Sequence, residues 1–270
     1  WNKMVVYGPK VNSLYSITAL YFAVTLSSGE NNGWSEGKRG LQGISDLLVP
    51  TKHIHLAPGT PSHSTMTVSF STAEECAPFL MIYSVDHLRD MPRILFGHDT
   101  RRYSTNSILR DGSTADIYTS DFIHHIRVEG LEPTSLYHYY CGCASIITVS
   151  DMRKLYSSSI TEQDLEERGL NGGSFRTAPE PVANGVINDE SIDFAVCGDV
   201  GQTADSRMTY QNIAKQHDGN RFAAILWAGD ISYADGEQHR WESWLELIEG
   251  FFSRRLPLIS CPGNHEIETD

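Results

Sequence analysis

Three segments in the C-terminal part of the chain repeat one pattern: a short apolar run, a small residue, then a polar side chain. They read Ile192-Asp193-Phe194-Ala195-Val196-Cys197-Gly198-Asp199, Ala224-Ile225-Leu226-Trp227-Ala228-Gly229-Asp230, and Leu256-Pro257-Leu258-Ile259-Ser260-Cys261-Pro262-Gly263-Asn264-His265-Glu266. Short continuous apolar runs ended by Gly predict strands buried on both faces, as in a parallel sheet. Between the second and third runs, Trp241, Trp244, Leu245, Ile248, Phe251 and Phe252 recur at helical spacing, with Glu242, Glu246 and Glu249 among them. That predicts an amphipathic helix, with its aromatic side chains in the core rather than in a stacking platform. Alternating strands and helices place Asp199, Asp230 and Asn264 beyond the carboxyl ends of the strands, where such sheets bind ligands.

Upstream, over residues 51–177, the pattern is that of an all-β domain. His53 to Gly59 opens a strand and turn, and Met66, Val68 and Phe70 alternate with Thr67 and Ser69 as in a half-buried strand. Strands follow at 79–85 and 124–128, and Ser174-Phe175-Arg176-Thr177 reads as the last. Leu131-Glu132-Pro133-Thr134-Ser135-Leu136-Tyr137 is similar to the tyrosine corner of fibronectin-type sandwiches. Residues 151–171 are polar and longer than a hairpin needs, which predicts a solvated insertion. The resulting division is an N-terminal segment at 1–50, a β domain at 51–178, a linker at 179–190, and an α/β domain from 191 to 270. Within the first segment, the apolar run at 14–26 is too short for a membrane span. It fits a signal-peptide core with Met4 as candidate start, or else a buried strand or the remnant of an upstream domain. Residues 31–43 read as a Gly-rich linker.

Composition narrows the function. With 40% hydrophobic residues and ordinary charge density, the 270-residue chain is globular. Its net charge of −13 argues against a nucleic-acid surface. None of the five cysteines has zinc-type spacing, and Cys141-Gly142-Cys143 is too tight for a Cys-x-x-Cys knuckle. Cys197 and Cys261, inside apolar runs, are expected in the core. Pairing among Cys76, Cys141 and Cys143 stays open. His53, His55, His124 and His125 lack acidic partners nearby in sequence and read as structural.

The residues after the three runs carry specific chemistry. Each Gly allows a sharp turn off the strand and close approach of backbone to a bound group. Carboxylate, phenolate and amide oxygens suit hard cations, and a carboxylate has two oxygens with which to bridge two of them. Two adjacent metals can activate water and neutralise charge developing on a phosphoryl group. Tyr233, three residues after Asp230, is close enough to turn back towards the same ion. A phenol with a free pKa of about 10 ionises near neutral pH only beside a strongly charged partner such as ferric iron.

Gly198-Asp199-Val200-Gly201, Gly229-Asp230-Ile231-Ser232-Tyr233 and Gly263-Asn264-His265-Glu266 resemble, in order, the first three of the five metallophosphoesterase motifs of the purple acid phosphatases. The Tyr in the second is the discriminating residue. The resemblance implies Asp199 and Tyr233 on Fe(III), Asp230 bridging, and Asn264 on a divalent ion (Zn, Mn or Fe). It implies His265 as a phosphate-binding or proton-donating catalytic group, with Glu266 as its orienting partner. The large, plant-like members carry a fibronectin-type-III-like N-terminal domain, so the expected architecture is that all-β sandwich followed by an α/β metallophosphoesterase domain.

The family's later Val-x-x-His and Gly-His-x-His motifs, which supply three histidine ligands, are not in these 270 residues. The chain is therefore expected to be a C-terminally truncated fragment that alone binds metal poorly. For the full-length protein the resemblance implies hydrolysis of phosphate monoesters by a metal-bound hydroxide. The alternatives are a phosphodiesterase or nucleotide pyrophosphatase on the same fold, or a non-catalytic binding module. The expected partners are small phosphate esters, with no nucleic acid and no stable membrane anchor. A secreted or vacuolar glycoprotein, compatible with a homodimer, completes the expectation.

Overall fold

The β region folds as two facing antiparallel sheets. A computed structural model describes residues 48–87, 92–106, 109, 111–114, 116–145, 165, 170–181 and 192–267. The apolar run at 14–26, the stretch at 31–43, and most of the 151–171 insertion and the 179–190 linker lie outside the described residues. In chain order the strands are β1 (Leu48–Val49), β2 (Lys52–Pro58), β3 (Thr65–Thr72), β4 (Ala77–Ser84), β5 (Arg93–Phe96), β6 (Asp99–Arg101), β7 (Ser104–Thr105), β8 (Tyr118–Thr119), β9 (Phe122–Glu129), β10 (Leu136–Ala144) and β11 (Asn171–Arg176). One sheet has the order β1-β10-β4-β5, with β11 also on β10, and the other β2-β3-β9-β6; β7 and β8 pair separately.

Alternating apolar residues fill the space between the sheets. Ile54, Leu56, Met66, Val68 and Phe70 from one sheet meet Leu80, Ile82, Tyr139, Cys141 and Phe175 from the other. Each large side chain so buried contributes roughly 1.5–3 kcal/mol. The tyrosine corner forms as its sequence predicts, the Glu132 N–H donating to Tyr137 Oη at 2.8 Å. Strand β3 differs from the half-buried expectation, because Ser69 and Ser71 are buried as well. Their hydroxyls pair with imidazoles on neighbouring strands, Ser69 with His125 Nδ1 at 2.8 Å and Ser71 with His53 Nδ1 at 2.9 Å. All four histidines are thus held by hydrogen bonds within the sandwich. His55 Nδ1 lies 2.8 Å from the His53 carbonyl, and His124 sits between two threonines.

A disulfide joins Cys76, in the turn between β3 and β4, to Cys143 on β10. This settles the pairing that spacing alone leaves open.

The α/β region runs β12 (Asp193–Cys197), α1 (Ala204–Gln216), β13 (Phe222–Ala228), α2 (His239–Glu249) and β14 (Leu258–Cys261). Its strands lie parallel in the order β12-β13-β14. Helix α1 starts at a capping box, in which Thr203 and Ser206 each bond the other's backbone N–H. Helix α2 carries the predicted aromatic face, although Phe251 and Phe252 fall in the turn after it. Trp227, Tyr210, Trp244 and Phe252 stack edge to face in one cluster under the sheet.

Burial of this sheet is one-sided among the described residues, contrary to expectation. Ala195, Ile225 and Trp227 face the helices and are buried, whereas Phe194, Val196 and Ile259 alternate onto the opposite face and stand 36–42% exposed. Cys197 packs in the core as predicted. Cys261 does not, because its register opposite Ala228 puts it on the open face.

The two regions meet through the end of α2. The His53 N–H donates to Glu249 Oε2 at 2.6 Å, and Arg254 donates twice to Glu249 Oε1 at 2.7 and 3.0 Å. The Tyr139 hydroxyl donates to the Arg254 carbonyl at 3.0 Å. At Gly173 on β11 a Cβ would stand 2.2 Å from that same carbonyl oxygen, so only glycine allows this approach. No helix among the described residues is long and apolar enough to cross a membrane.

Candidate metal centre

The loops leaving β12, β13 and β14 converge because their backbones are zipped together beyond the strands. The N–H groups of Asp199, Val200 and Gly201 donate to the carbonyls of Gly229, Asp230 and Ile231 at 3.0–3.2 Å. This carries parallel pairing past the sheet and brings Asp199 alongside Asp230. Helix α1 holds the first loop from below: the Tyr210 hydroxyl donates to the Gly201 carbonyl at 2.7 Å, and Trp244 Nε1 donates to Tyr210 Oη at 3.0 Å.

The third loop is fixed to the second by Glu266. Its Oε1 accepts the N–H groups of Ile231 at 2.8 Å and Ser232 at 3.3 Å, while Oε2 accepts that of Gly263 at 2.9 Å. The His265 N–H donates to Asp230 Oδ1 at 3.1 Å. A Cβ on Gly263 would lie 2.2 Å from that Asp230 oxygen, so the contact demands glycine.

Four non-glycine residues here adopt positive φ: Asp199 (53°), Asp230 (49°), Tyr233 (54°) and Asp235 (52°). Left-handed backbone costs on the order of 1–3 kcal/mol at such positions, and clusters of it mark sites where side-chain direction matters more than local comfort. For Tyr233 the turn aims the phenol back at the first loop, where its hydroxyl donates to Asp199 Oδ1 at 3.3 Å. Burial, and then the negative charges of Asp199 and Asp230, push the Tyr233 pKa up.

Asp199, Asp230 and Tyr233 therefore come together as the sequence predicts, and Asn264 follows Gly263 at the same strand end, exposed. The set is two carboxylates, a phenol and an amide. These hard oxygen donors fit a hard cation and would suit a soft one poorly.

His265 also joins the site, its ring 4.2 Å from that of Tyr233. Its partner differs from the expected one. Asp235 Oδ1 lies 2.6 Å from His265 Nδ1, while Glu266 commits both oxygens to backbone N–H groups. Sequence reasoning missed Asp235, two residues after Tyr233, and also Gln202. Gln202 Nε2 donates to the Ser232 carbonyl at 3.1 Å and the Arg240 carbonyl at 2.8 Å, tying the first two loops to α2.

Comparison with known proteins matches both regions to known domains. Residues 51–156 match the purple acid phosphatase N-terminal domain, and residues 192–270 match the calcineurin-like phosphoesterase domain. Purple acid phosphatase 21 of Arabidopsis thaliana is 30% identical over 188 residues, which are 69% of this chain and 34% of the relative. A phosphoenolpyruvate phosphatase of Allium cepa is 28% identical over 177 residues, 64% of this chain and 29% of the relative. The purple acid phosphatase PPD1 from yellow lupin seeds shares the fold, with a TM-score of 0.58 at 18% identity over 81% of this chain and 36% of its own. The chain thus spans about a third of the length of the relatives it matches. The two matched domains, in this order along the chain, place it in the purple acid phosphatase family.

Proposed function

We propose that the whole protein is an acid phosphatase acting on small phosphate monoesters through a pair of metal ions. The observation that carries this reading is the convergence of Tyr233 and Asp199 at 3.3 Å beside Asp230. In this reading Asp199, Asp230 and Tyr233 would hold a ferric ion, and Asp230 and Asn264 a divalent zinc, manganese or iron. When bound, the pair supplies Lewis-acid activation of water and neutralises charge at phosphorus.

The chain's own residues do the rest. Glu266 and the paired loop backbones hold the ligands in place before substrate arrives, so no reorganisation is needed during reaction. Asp235 fixes the tautomer of His265, keeping the proton on Nδ1 and leaving Nε2 for the substrate. From Nε2, protonated His265 can bind a phosphate oxygen or give a proton to the departing alcohol. The Cys76–Cys143 disulfide supports a secreted or vacuolar location, where such bonds persist.

The test is a paired assay of the metal-loaded whole protein at acid pH on an aryl phosphate monoester and the matching diester. Preferential monoester turnover that is lost in Asp230→Asn supports the reading. Faster diester turnover assigns a phosphodiesterase, and turnover unaffected by Asp230→Asn removes the site from the chemistry.

A further inference from the structure

The disulfide has a third neighbour that the phosphatase reading does not use. His124 on β9 is fully buried at the same end of the sandwich, with Nε2 4.0 Å from Cys143 Sγ. The metal-ligating atoms of Cys76, His124 and Cys143 all lie within 4.8 Å of one another. Strands from both sheets contribute, since β9 belongs to one and β10 to the other. We propose that, once the Cys76–Cys143 bond is reduced, these two thiolates and His124 form a zinc site, so that cross-link and metal are alternative fastenings of one corner.

Geometry and softness both favour zinc. Tetrahedral zinc with bonds of about 2.3 Å to sulfur and about 2.0 Å to nitrogen spaces its ligand atoms roughly 3.5–3.8 Å apart. The Cys143–His124 pair is close to that already, and opening the disulfide brings the sulfurs into range. Two thiolates and an imidazole are a donor set that selects zinc over the hard cations suited to the strand-end site.

His124 is prepared for the role. The Thr72 hydroxyl gives its proton to the Glu74 carbonyl at 2.8 Å, so it accepts from His124 Nε2, also at 2.8 Å. Thr100 Oγ1 lies 2.9 Å from Nδ1 and donates to it in this arrangement. Moving the ring proton to Nδ1 reverses that bond and frees the Nε2 lone pair, leaving the ring held by its other nitrogen as metal-bound histidines are. Burial also depresses the His124 pKa to about 4, which keeps the imidazole neutral. Cys76 is partly exposed, so a reductant can reach its sulfur and water can fill a fourth ligand position.

A water-soluble phosphine supplies two electrons to the disulfide; water supplies two protons to the thiols and the oxygen that ends on phosphorus. A divalent ion then displaces the two thiol protons.

The test uses the whole chain with Cys261→Ser, which removes the exposed thiol. After phosphine reduction and removal of the reductant, cobalt(II) is titrated in as a spectroscopic substitute for zinc. The expected result is a thiolate-to-cobalt charge-transfer band that saturates at one equivalent and is absent before reduction; the oxygen ligands at the strand ends cannot produce it. His124→Gln should weaken zinc competition for that band by more than about tenfold. No band in the reduced protein, a band that survives Cys143→Ser, or unchanged affinity in His124→Gln would each overturn the proposal. A second readout needs no cysteine variant at this corner: zinc should slow alkylation of Cys76 and Cys143, but not Cys141, and equal alkylation rates would also overturn it.

Discussion

Asp235 Oδ1 lies 2.6 Å from Nδ1 of His265, and the same two residues are joined again where the Asp235 N–H donates to the His265 carbonyl at 3.4 Å. The second loop therefore fixes both the ring and the backbone of the third. Asp235→Asn, similar in shape but unable to hold the Nδ1 proton as a carboxylate does, should lower kcat by about 10–100-fold. Metal content should stay unchanged, measured on the same samples by elemental analysis. Loss of metal along with kcat would show that Asp235 supports the ligands instead.

Glu266 is predicted to matter for stability first. Its carboxylate accepts three backbone N–H groups, and Glu266→Ala leaves these donors without their partner. The expected cost is about 2 kcal/mol or more. Denaturant unfolding of the apo-protein checks it, since a role confined to metal binding would leave apo-stability untouched.

The interface between the two regions depends on a close backbone approach. Gly173→Ala places a methyl 2.2 Å from the Arg254 carbonyl oxygen, and that oxygen is also the acceptor for Tyr139. Overpacking of this kind costs about 1–3 kcal/mol. Tyr139→Phe should cost about 1 kcal/mol by removing the hydrogen bond alone. Thermal melts of both variants would rank them, with Gly173→Ala expected to be the worse.

Stability should fall on acidification through the β sandwich. Burial lowers the pKa values of His53, His55, His124 and His125, to about 4 for His124. The folded state therefore keeps these rings neutral where the unfolded chain, with pKa near 6.5, protonates them. Between about pH 6.5 and pH 4 the unfolded state binds more protons, so unfolding is favoured as pH drops. Melting temperatures across that window should decrease, and less steeply in His124→Gln. A flat profile in the native protein would contradict the burial argument.

The strand-end loops were legible because chemistry and fold repeat together: an apolar run, a turn-permitting glycine and an oxygen donor recur three times. Tyr137 was legible for a similar reason, since the corner's local sequence specifies its own hydrogen bond. Asp235 was not, because one carboxylate in an acidic chain carries no signal until a turn at positive φ aims it at His265. Glu266 was assigned to His265 rather than to the backbone, because main-chain N–H partners leave no side-chain signal in the sequence. Helix α1 is mostly polar, burying chiefly Ser206, Tyr210 and Ile213, so periodicity barely marks it. The open face bearing Phe194, Val196 and Ile259 was hidden for the opposite reason: a continuous apolar run looks the same whether one face is covered or two.

The most direct test of the account is the visible absorption spectrum of the whole, metal-loaded protein beside that of Tyr233→Phe. If Tyr233 binds ferric iron, the native protein shows a purple tyrosinate-to-iron band that disappears in the variant. A native protein that is colourless yet hydrolyses phosphate esters would contradict it, leaving Tyr233 a structural neighbour of Asp199 rather than a ligand.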